Sequence, residues 1–459
     1  MYTETARNAD IYIQPKFGSD IFLALGIANY LIQNELYDKE FIEKHIFGFE
    51  EFKRRISKFT VDYVSELTGI PPEQIKDFAE IYAYEKPSII FIGYGLQRRF
   101  GGGETVRAIS LLPALIGLHR GFYYSNTDSL NINFDYIMGG FLGKPSRIIP
   151  QSKVEVLLEK GEFKFVFIYL TNPAATYPNA GAIRRGLLRN DVFVVVHETH
   201  WTDTAMLADL ILPAPTWLEK EDIITSYFHN YIVLNKKVIN PLGESISEVD
   251  LMRKITERLE ISQKDIYEDP FLAVKKAIRK TAFEEMMSKG YAELPLKPKD
   301  KYQTPTGKIE FYSITAKKLG YNLLPEPIKI NPPKDYPFIL VSSASPKYTH
   351  TRFEDVYGFI PPILLMSPKD MRKLNLKDGN IVIVESKLGR VMLRAKGSNK
   401  IPQGIVFTFR SYKTLDGKRI NEITTDELNE FEGASINTTY VRILGVNINS
   451  KNILNIAFH

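Results

Sequence analysis

The sequence predicts an α/β protein with parallel sheets that ends in a β-barrel. Over roughly the first 330 of the 459 residues, segments with helical spacing of apolar residues alternate with short apolar runs typical of buried strands. A stretch with five prolines, residues 324–337, interrupts both patterns, because proline lacks an amide donor and fixes φ. After it, short alternating runs separated by glycine turns indicate a compact barrel. We therefore expect domains at residues 1–100, 101–330 and 335–459.

Helices and one short strand are predicted near the beginning of the chain. Apolar residues at helical spacing predict helices at residues 20–34 and 38–44. The run Pro-Ser-Ile-Ile-Phe-Ile-Gly at residues 87–93 predicts a strand. A glycine-rich turn at residues 101–103 then leads into a helix that continues to Leu118. We expect these helices to cover a sheet.

Gln97 and Arg98 follow this predicted strand at its carboxyl end, where open α/β sheets bind their ligands. A guanidinium group there can hold a phosphate or an oxyanion through two parallel hydrogen bonds. The alternative is a set of solvated charges after a strand, and the residues alone leave both interpretations open.

Two further strands are predicted at residues 163–170 and 192–196, and each ends in polar residues. Asn172 and Pro173 follow the first of them, so that the amide can hold a ligand while the proline fixes the direction of the chain. Polar groups at the ends of neighbouring parallel strands favour a dinucleotide-like site. The alternative is an ordinary strand-to-helix turn with an Asn cap.

The segment His197–His200, with the sequence His-Glu-Thr-His, follows the second of these strands. Histidine and carboxylate are zinc and iron ligands, but this order is not the HExxH pattern and a strand gives the two histidines no shared helical face. We therefore predict no metal ligand in this chain. A helix-like segment follows at residues 202–208, for which Thr202 is a suitable N-cap.

Composition excludes several classes of site and partner. With no cysteine, the chain cannot by itself hold an iron–sulfur cluster, a zinc–thiolate site or a disulfide. The net charge is only +5 and the basic residues are scattered, so we expect no nucleic-acid partner. No apolar run approaches the ~20 residues of a membrane span, and the first residues show no export signal. We expect a cytoplasmic protein without a membrane span, with a composition that also fits a thermophile.

Several longer sequence segments occur along the chain in the order that one known family has. Together they resemble the molybdopterin oxidoreductases of the dimethyl-sulfoxide-reductase and formate-dehydrogenase type. The best match is Ala-Asp-Leu-Ile-Leu-Pro-Ala-Pro-Thr-Trp-Leu-Glu-Lys-Glu-Asp at residues 208–222. A buried strand followed by a rigid loop would also explain this segment, and we assign no chemistry to Glu219. The other matching segments are residues 3–53, 93–121, 304–313, 342–353, 367–391 and 421–424.

The resemblance implies a fold, a cofactor and a set of binding residues. The fold is a pair of Rossmann-like α/β domains followed by a six-stranded double-psi-type barrel, and the cofactor is molybdopterin guanine dinucleotide with molybdenum or tungsten. Gln97 and Arg98 would lie near the metal and contact the substrate. The residues implied in cofactor binding are Asn172, Pro173, Glu198, Thr199, His200, Asp203, His350, Thr351 and Asn421.

The chain departs from the family's pattern at its beginning. The family's iron–sulfur portion and its metal ligand precede the segment that matches residues 3–53. We therefore expect a separate polypeptide to carry that portion and to supply the metal ligand. We also expect an iron–sulfur subunit as a further partner. Without that portion, the apolar faces of Ile21, Leu25 and Ile32 are expected to lie uncovered.

Three functions are compatible with the sequence. The first is the carboxyl-terminal part or subunit of a molybdenum or tungsten bis-pterin enzyme that carries out two-electron oxo or hydride transfer on formate, an oxyanion or a sulfur compound. The second is a non-catalytic scaffold subunit that has kept the fold. The third is a nucleotide-binding module with unrelated chemistry. Retention of the four loops at Asn172, Glu198, His350 and Asn421 favours the first function, and the absent amino-terminal portion favours the second.

Overall fold

A computed structural model describes residues 2–446 apart from 126, 128, 129 and 144. The end of the predicted third domain, residues 447–459, lies outside this part of the chain. The α-helices are α1 (Glu4–Arg7), α2 (Asp20–Gln33), α3 (Lys39–His45), α4 (Phe49–Ile56), α5 (Val61–Thr68), α6 (Pro72–Tyr84), α7 (Gly102–Leu115), α8 (Phe134–Ile137), α9 (Val154–Glu159), α10 (Pro173–Thr176), α11 (Ala180–Leu187), α12 (Glu248–Arg258), α13 (Pro270–Ala277), α14 (Lys280–Lys289), α15 (Ile314–Lys318), α16 (Glu354–Tyr357) and α17 (Pro368–Lys373).

The strands form a closed barrel and four smaller sheets, three of which are entirely parallel. They are β1 (Ile46–Phe47), β2 (Ile90–Phe91), β3 (Phe122–Tyr123), β4 (Phe165–Tyr169), β5 (Phe193–Glu198), β6 (Leu210–Pro213), β7 (Asp222–Ile224), β8 (Tyr231–Asn235), β9 (Tyr291–Glu293), β10 (Ile309–Glu310), β11 (Phe338–Ser343), β12 (Ile363–Met366), β13 (Ile381–Glu385), β14 (Arg390–Gly397), β15 (Ile405–Phe409) and β16 (Thr439–Gly445).

The first helices share one apolar core, at the centre of which lies α2. The expectation that Ile21, Leu25 and Ile32 lie uncovered is wrong, because each is at most 3% exposed. Helices α5, α6 and α7 pack against α2 and supply the cover, including the fully buried Val64 and Ile75. The chain thus covers these faces with its own helices.

Strand β2 is much shorter than the predicted strand at residues 87–93: within the described part of the chain, only Ile90–Phe91 pair with another strand. The one partner found there is β3, in parallel, and two such strands give few ladder hydrogen bonds. Phe91 is 59% exposed and stacks on Tyr123 and on the exposed Phe228. Parallel sheets are normally covered on both faces, so this aromatic surface is unusual for a parallel sheet.

Strands β4, β5 and β6 form the parallel sheet predicted from the apolar runs, with β5 in the centre. Helices α9 and α11 pack together beside it. The predicted helix at residues 202–208 is only a 3₁₀ turn, Ala205–Leu207. The chain must return to the sheet at Asp209, whose carboxylate accepts the Val194 amide at 2.7 Å, and this leaves no room for a full helix.

The barrel closes in the order β11-β15-β12-β14-β13-β16, which confirms the predicted six-stranded carboxyl-terminal barrel. Its apolar core is separate from the cores of the preceding domains. The predicted domain boundaries themselves stay predictions. Among the described residues, no helix is both long enough and apolar enough to cross a lipid bilayer.

Candidate functional site

The loop after β4 is fixed by Asn172, which is 8% exposed. Its amide oxygen accepts hydrogen bonds from the Thr204 backbone amide at 3.1 Å and the Thr204 hydroxyl at 2.7 Å. Its amide nitrogen donates to the hydroxyl of Thr351, in the barrel domain, at 3.2 Å. Pro173 is buried as the first residue of α10. Asn172 therefore joins two strand ends of the α/β domain to the barrel domain.

We expect Asn172→Ala to lower the free energy of unfolding by about 2–3 kcal/mol, because it leaves buried donors on Thr204 without an acceptor. Asn34→Ala is the matched control: its amide bonds to Tyr30 on an exposed helix end, and the change should cost less than ~0.5 kcal/mol. Chemical denaturation measures both. Equal effects of the two substitutions would show that the Asn172 hydrogen bonds contribute little.

Asn421 makes the reciprocal connection from the barrel domain. It is 4% exposed, accepts the Ser411 amide at 3.2 Å and donates to the carbonyl of Thr176, at the end of α10, at 2.9 Å. Asn179, in the left-handed conformation before α11, donates to Asp426 at 3.1 Å. The loop at residues 172–179 is therefore held from both sides, with little freedom to move relative to the barrel.

Glu198, Thr199 and His200 lie at the carboxyl end of β5, as predicted, but they interact mainly with one another. The Glu198 carboxylate accepts the Thr199 amide at 2.8 Å, and the Thr199 hydroxyl lies 2.8 Å from the His200 imidazole. Thr199 and His200 are exposed. These polar groups remain accessible to a ligand, and their role in cofactor binding stays a prediction.

Asp203 is used in an ion-pair network with Arg419, which is only 4% exposed. The Arg419 guanidinium donates to Asp203 at 2.6 Å, to Glu354 at 2.8 Å and to the Ser411 carbonyl at 2.9 Å. These hydrogen bonds and charges raise the pKa of Arg419 despite its burial. The network joins the turn after β5 to two segments of the barrel domain.

The loop carrying Gln97 and Arg98 is clamped by a barrel segment, residues 429–438. The Asn429 amide donates to the Gln97 carbonyl and the Asn437 backbone amide donates to the Arg98 carbonyl, both at 2.9 Å. The Glu430 carboxylate accepts backbone amides at the start of α7, so the glycine-rich turn binds a protein carboxylate at the positive helix end. The clamp contacts the backbone carbonyls of this loop and not the Arg98 guanidinium.

Gly103 permits the close approach of this clamp. A Cβ atom at this position would lie 2.0 Å from the ring of Phe431. The glycine-rich turn is thus explained by packing against the barrel domain, and no phosphate is needed to account for it.

Four basic side chains converge where this loop meets the barrel: Arg98, His350, Arg352 and Arg410. Burial and the charges of Arg410, Arg98 and Arg352 lower the pKa of His350, which favours its neutral imidazole. Burial and Arg98 lower the pKa of Arg410 as well. Within the described part of the chain, no acid forms a salt bridge with any of the three arginines, and the buried Nε of Arg410 has no hydrogen-bond partner. We call these four residues the basic cluster.

The structure thus divides the predicted residues into two groups. Asn172, Thr351, Asp203 and Asn421 make contacts between domains, whereas Arg98 and His350 keep polar groups available for a ligand. Sequence reasoning missed Arg410, although it directly follows β15, one of the barrel strands. The rule used for Arg98, a polar residue at a strand end, would have identified it.

Comparison with known proteins agrees with this geometry. A sequence model of the family described as molybdopterin oxidoreductase matches residues 2–258, more than half of the chain. The chain belongs to the molybdopterin oxidoreductase family. A second model, the molydopterin dinucleotide binding domain, matches residues 338–438 and so covers most of the barrel domain. The asparagine and histidine loops described above lie within these two matches.

Curated relatives extend along nearly the whole chain. The probable oxidoreductase YoaE of Bacillus subtilis is 31% identical over 94% of this chain and 67% of its own length. Acetylene hydratase of Syntrophotalea acetylenica is 27% identical over 88% of this chain and 64% of its own length. The alpha subunit of the F420-dependent formate dehydrogenase of Methanocaldococcus jannaschii is 26% identical over 93% and 68%. The chain therefore spans about two thirds of the length of these relatives.

The solved structure of acetylene hydratase from Pelobacter acetylenicus has the same fold. It superposes with a TM-score of 0.78 at 22% identity, covering 97% of this chain and 72% of that chain. Together with the closed barrel, this likeness confirms the predicted fold of the molybdopterin oxidoreductase chain.

The sequence segment that resembles the family best, residues 208–222, has a structural explanation. Asp209 fixes β5, as described above. The Glu219 carboxylate, 4% exposed, accepts the Thr216 amide and hydroxyl and the Leu242 amide within 2.8 Å, and these bonds lower its pKa. Both acids stabilise turns, in agreement with the interpretation that assigned no chemistry to Glu219.

Proposed function

We propose that this chain binds a molybdopterin dinucleotide and forms part of an oxidoreductase that transfers two electrons, as oxo or hydride equivalents, to or from a small substrate. The observation that supports this most strongly is the basic cluster. Arg98, Arg352 and Arg410 all lie close enough to His350 to lower its pKa, and none of them forms a salt bridge with an acid among the described residues. All three charges would attract a bound anion.

A dinucleotide with two phosphates fits the chemistry of these donors. Arg98, Arg352 and Arg410 supply charged hydrogen bonds to phosphate oxygens, and the orphaned Nε of Arg410 would gain an acceptor. The neutral His350 can donate to or accept from a pterin ring without adding charge. When bound, the cofactor supplies the metal-centred redox chemistry. The protein residues would bind and orient it, and we infer that Gln97 and Arg98 contact a substrate.

The scaffold alternative explains the contacts between domains but not the basic cluster. Asn172, Asn421 and Arg419 stabilise the fold whether or not a cofactor binds. The charge of Arg98 lowers the pKa of Arg410, so this pair opposes folding in the absence of an anion. A chain selected only for structure would gain by losing the pair. We therefore favour the cofactor-binding function.

Finer features of the proposed function rest on the family resemblance. We infer the guanine form of the dinucleotide, molybdenum or tungsten as the metal, and formate, an oxyanion or a sulfur compound as the substrate. Two partners stay predictions: a polypeptide that supplies the metal ligand, and an iron–sulfur subunit. A cytoplasmic location is likewise a prediction. The exposed ring of Phe91 on β2 stacks on the exposed ring of Phe228, which lies between β7 and β8. The two rings offer a surface on which such a partner could pack.

Acid oxidation of the purified protein tests the cofactor. Protein from cells that synthesise molybdopterin should release a fluorescent pterin and a guanine nucleotide in equal amounts. Elemental analysis of the same sample should give one molybdenum or tungsten atom for every two pterins, as expected for a bis-pterin enzyme. The control is protein from a host that cannot synthesise molybdopterin, which should release neither. Absence of both compounds from the complete assembly, with metal far below stoichiometric, would favour the scaffold alternative.

A further inference from the structure

Glu155 is a buried acid that the proposed function does not use. It lies in the first turn of α9 and is 0% exposed. Neither of its carboxylate oxygens has a hydrogen-bond partner among the described residues. An ionised carboxylate in this position is costly, because it has lost its water without gaining donors.

The nearest acid is Asp426, which belongs to the barrel domain. It lies within hydrogen-bond range of Glu155, and its other contact is the amide of Asn179, which donates to it at 3.1 Å. Two ionised carboxylates are both acceptors and repel each other, so they can bond only when one carries a proton. Burial, followed by the neighbouring Asp426, raises the pKa of Glu155 to about 7.

The basic residues around this pair do not neutralise it fully. Lys153, on the turn before α9, offsets part of the shift. On the facing helix α11, Arg184 is paired with Glu422 and Arg185 with Glu159. Both arginines are thus bound to other acids, and a proton remains the simplest way to satisfy Glu155 and Asp426 together.

We propose that Glu155 and Asp426 share one proton, and that this proton joins α9 of the α/β domain to the barrel domain in a pH-sensitive contact. The contact lies beside Asn179, at the end of the loop that begins with Asn172. The proposal does not depend on the cofactor, since it concerns the fold itself.

The direction of the pH dependence follows from the raised pKa. Glu155 binds its proton more tightly in the folded protein than in the unfolded chain, where a glutamate titrates near its ordinary value of about 4.5. The stabilising contribution is therefore fully present below about pH 4.5, and it is lost as the pH rises through about 7. This trend is opposite to that of a salt-bridged glutamate.

Glu155→Gln tests the proposal, because glutamine donates a hydrogen bond to Asp426 at every pH. Thermal unfolding of the cofactor-free protein is followed by circular dichroism from pH 5 to pH 9. We expect the melting temperature of wild type to fall relative to Glu155→Gln as the pH passes about 7. Glu159→Gln, on the same helix but in an exposed pair with Arg185, is the control and should follow wild type in shape.

Asp426→Asn provides a second variant that keeps an acceptor for Asn179. Removal of its charge should move the pH-dependent loss of stability to lower pH, since Glu155 then ionises more readily. Curves of Glu155→Gln or Asp426→Asn that run parallel to wild type across this range would overturn the proposal. If the purified protein contained no cofactor while these melting curves behaved as expected, only the proposed function would be contradicted.

Discussion

Alanine in place of Arg419 should lower the free energy of unfolding by about 3–5 kcal/mol, the cost of removing one partner from a buried ion-pair network. Arg419 is 4% exposed, and the two acids that it binds, Asp203 and Glu354, are three-quarters buried or more. After the substitution these carboxylates and the Ser411 carbonyl lose their donor, while little water can reach them. The turn after β5 would also lose its connection to the barrel domain.

Arg442→Ala is the matched control for this effect. Arg442 forms a similar pair with Glu385, but 44% of its side chain is exposed, and exposed pairs contribute about 0–1 kcal/mol. Urea unfolding measures both variants, with their m-values compared to detect any change in cooperativity. A loss for Arg419→Ala no larger than that for Arg442→Ala would contradict the structural role assigned to the network.

The fold was predictable because its signals are local. The apolar spacing that predicts α2, the alternation in the barrel strands and the five prolines before the barrel each lie within a short window. Strand β2 and the turn at Ala205–Leu207 were less predictable, since their lengths depend on what pairs with them. A strand that pairs with one short partner cannot extend its ladder of hydrogen bonds, however high the β propensity of its residues.

The site was only partly predictable because its function depends on contacts that are far apart in sequence. Asp203 and Asn421 occur in the expected loops, but their partners, Arg419 and Thr176, are more than two hundred residues away. Sequence position cannot distinguish an amide that faces a ligand from one that joins two domains. The convergence of Arg98 and Arg410 follows in the same way from docking of the barrel against the first domain.

Replacing both Arg98 and Arg410 with glutamine should change stability and cofactor binding in opposite directions. Without cofactor, the variant should be roughly 0.5–1 kcal/mol more stable than wild type, because a repulsion between like charges has been removed. Cofactor retention should fall at least ~100-fold, since each charged hydrogen bond to a phosphate is worth about 1.5–3 kcal/mol. Binding groups that oppose folding are characteristic of functional sites, where stability is exchanged for activity.

Arg54→Gln supplies the control, because Arg54 is exposed on α4 and the substitution removes the same charge from the surface. Its cofactor content, measured as pterin fluorescence per chain, should equal that of wild type. The two readouts separate the possible roles of the basic cluster. If the arginines were structural, the double variant would lose stability as well as cofactor, whereas solvated charges without a role would leave both unchanged. Only an anion-binding cluster predicts a more stable empty protein that retains less cofactor.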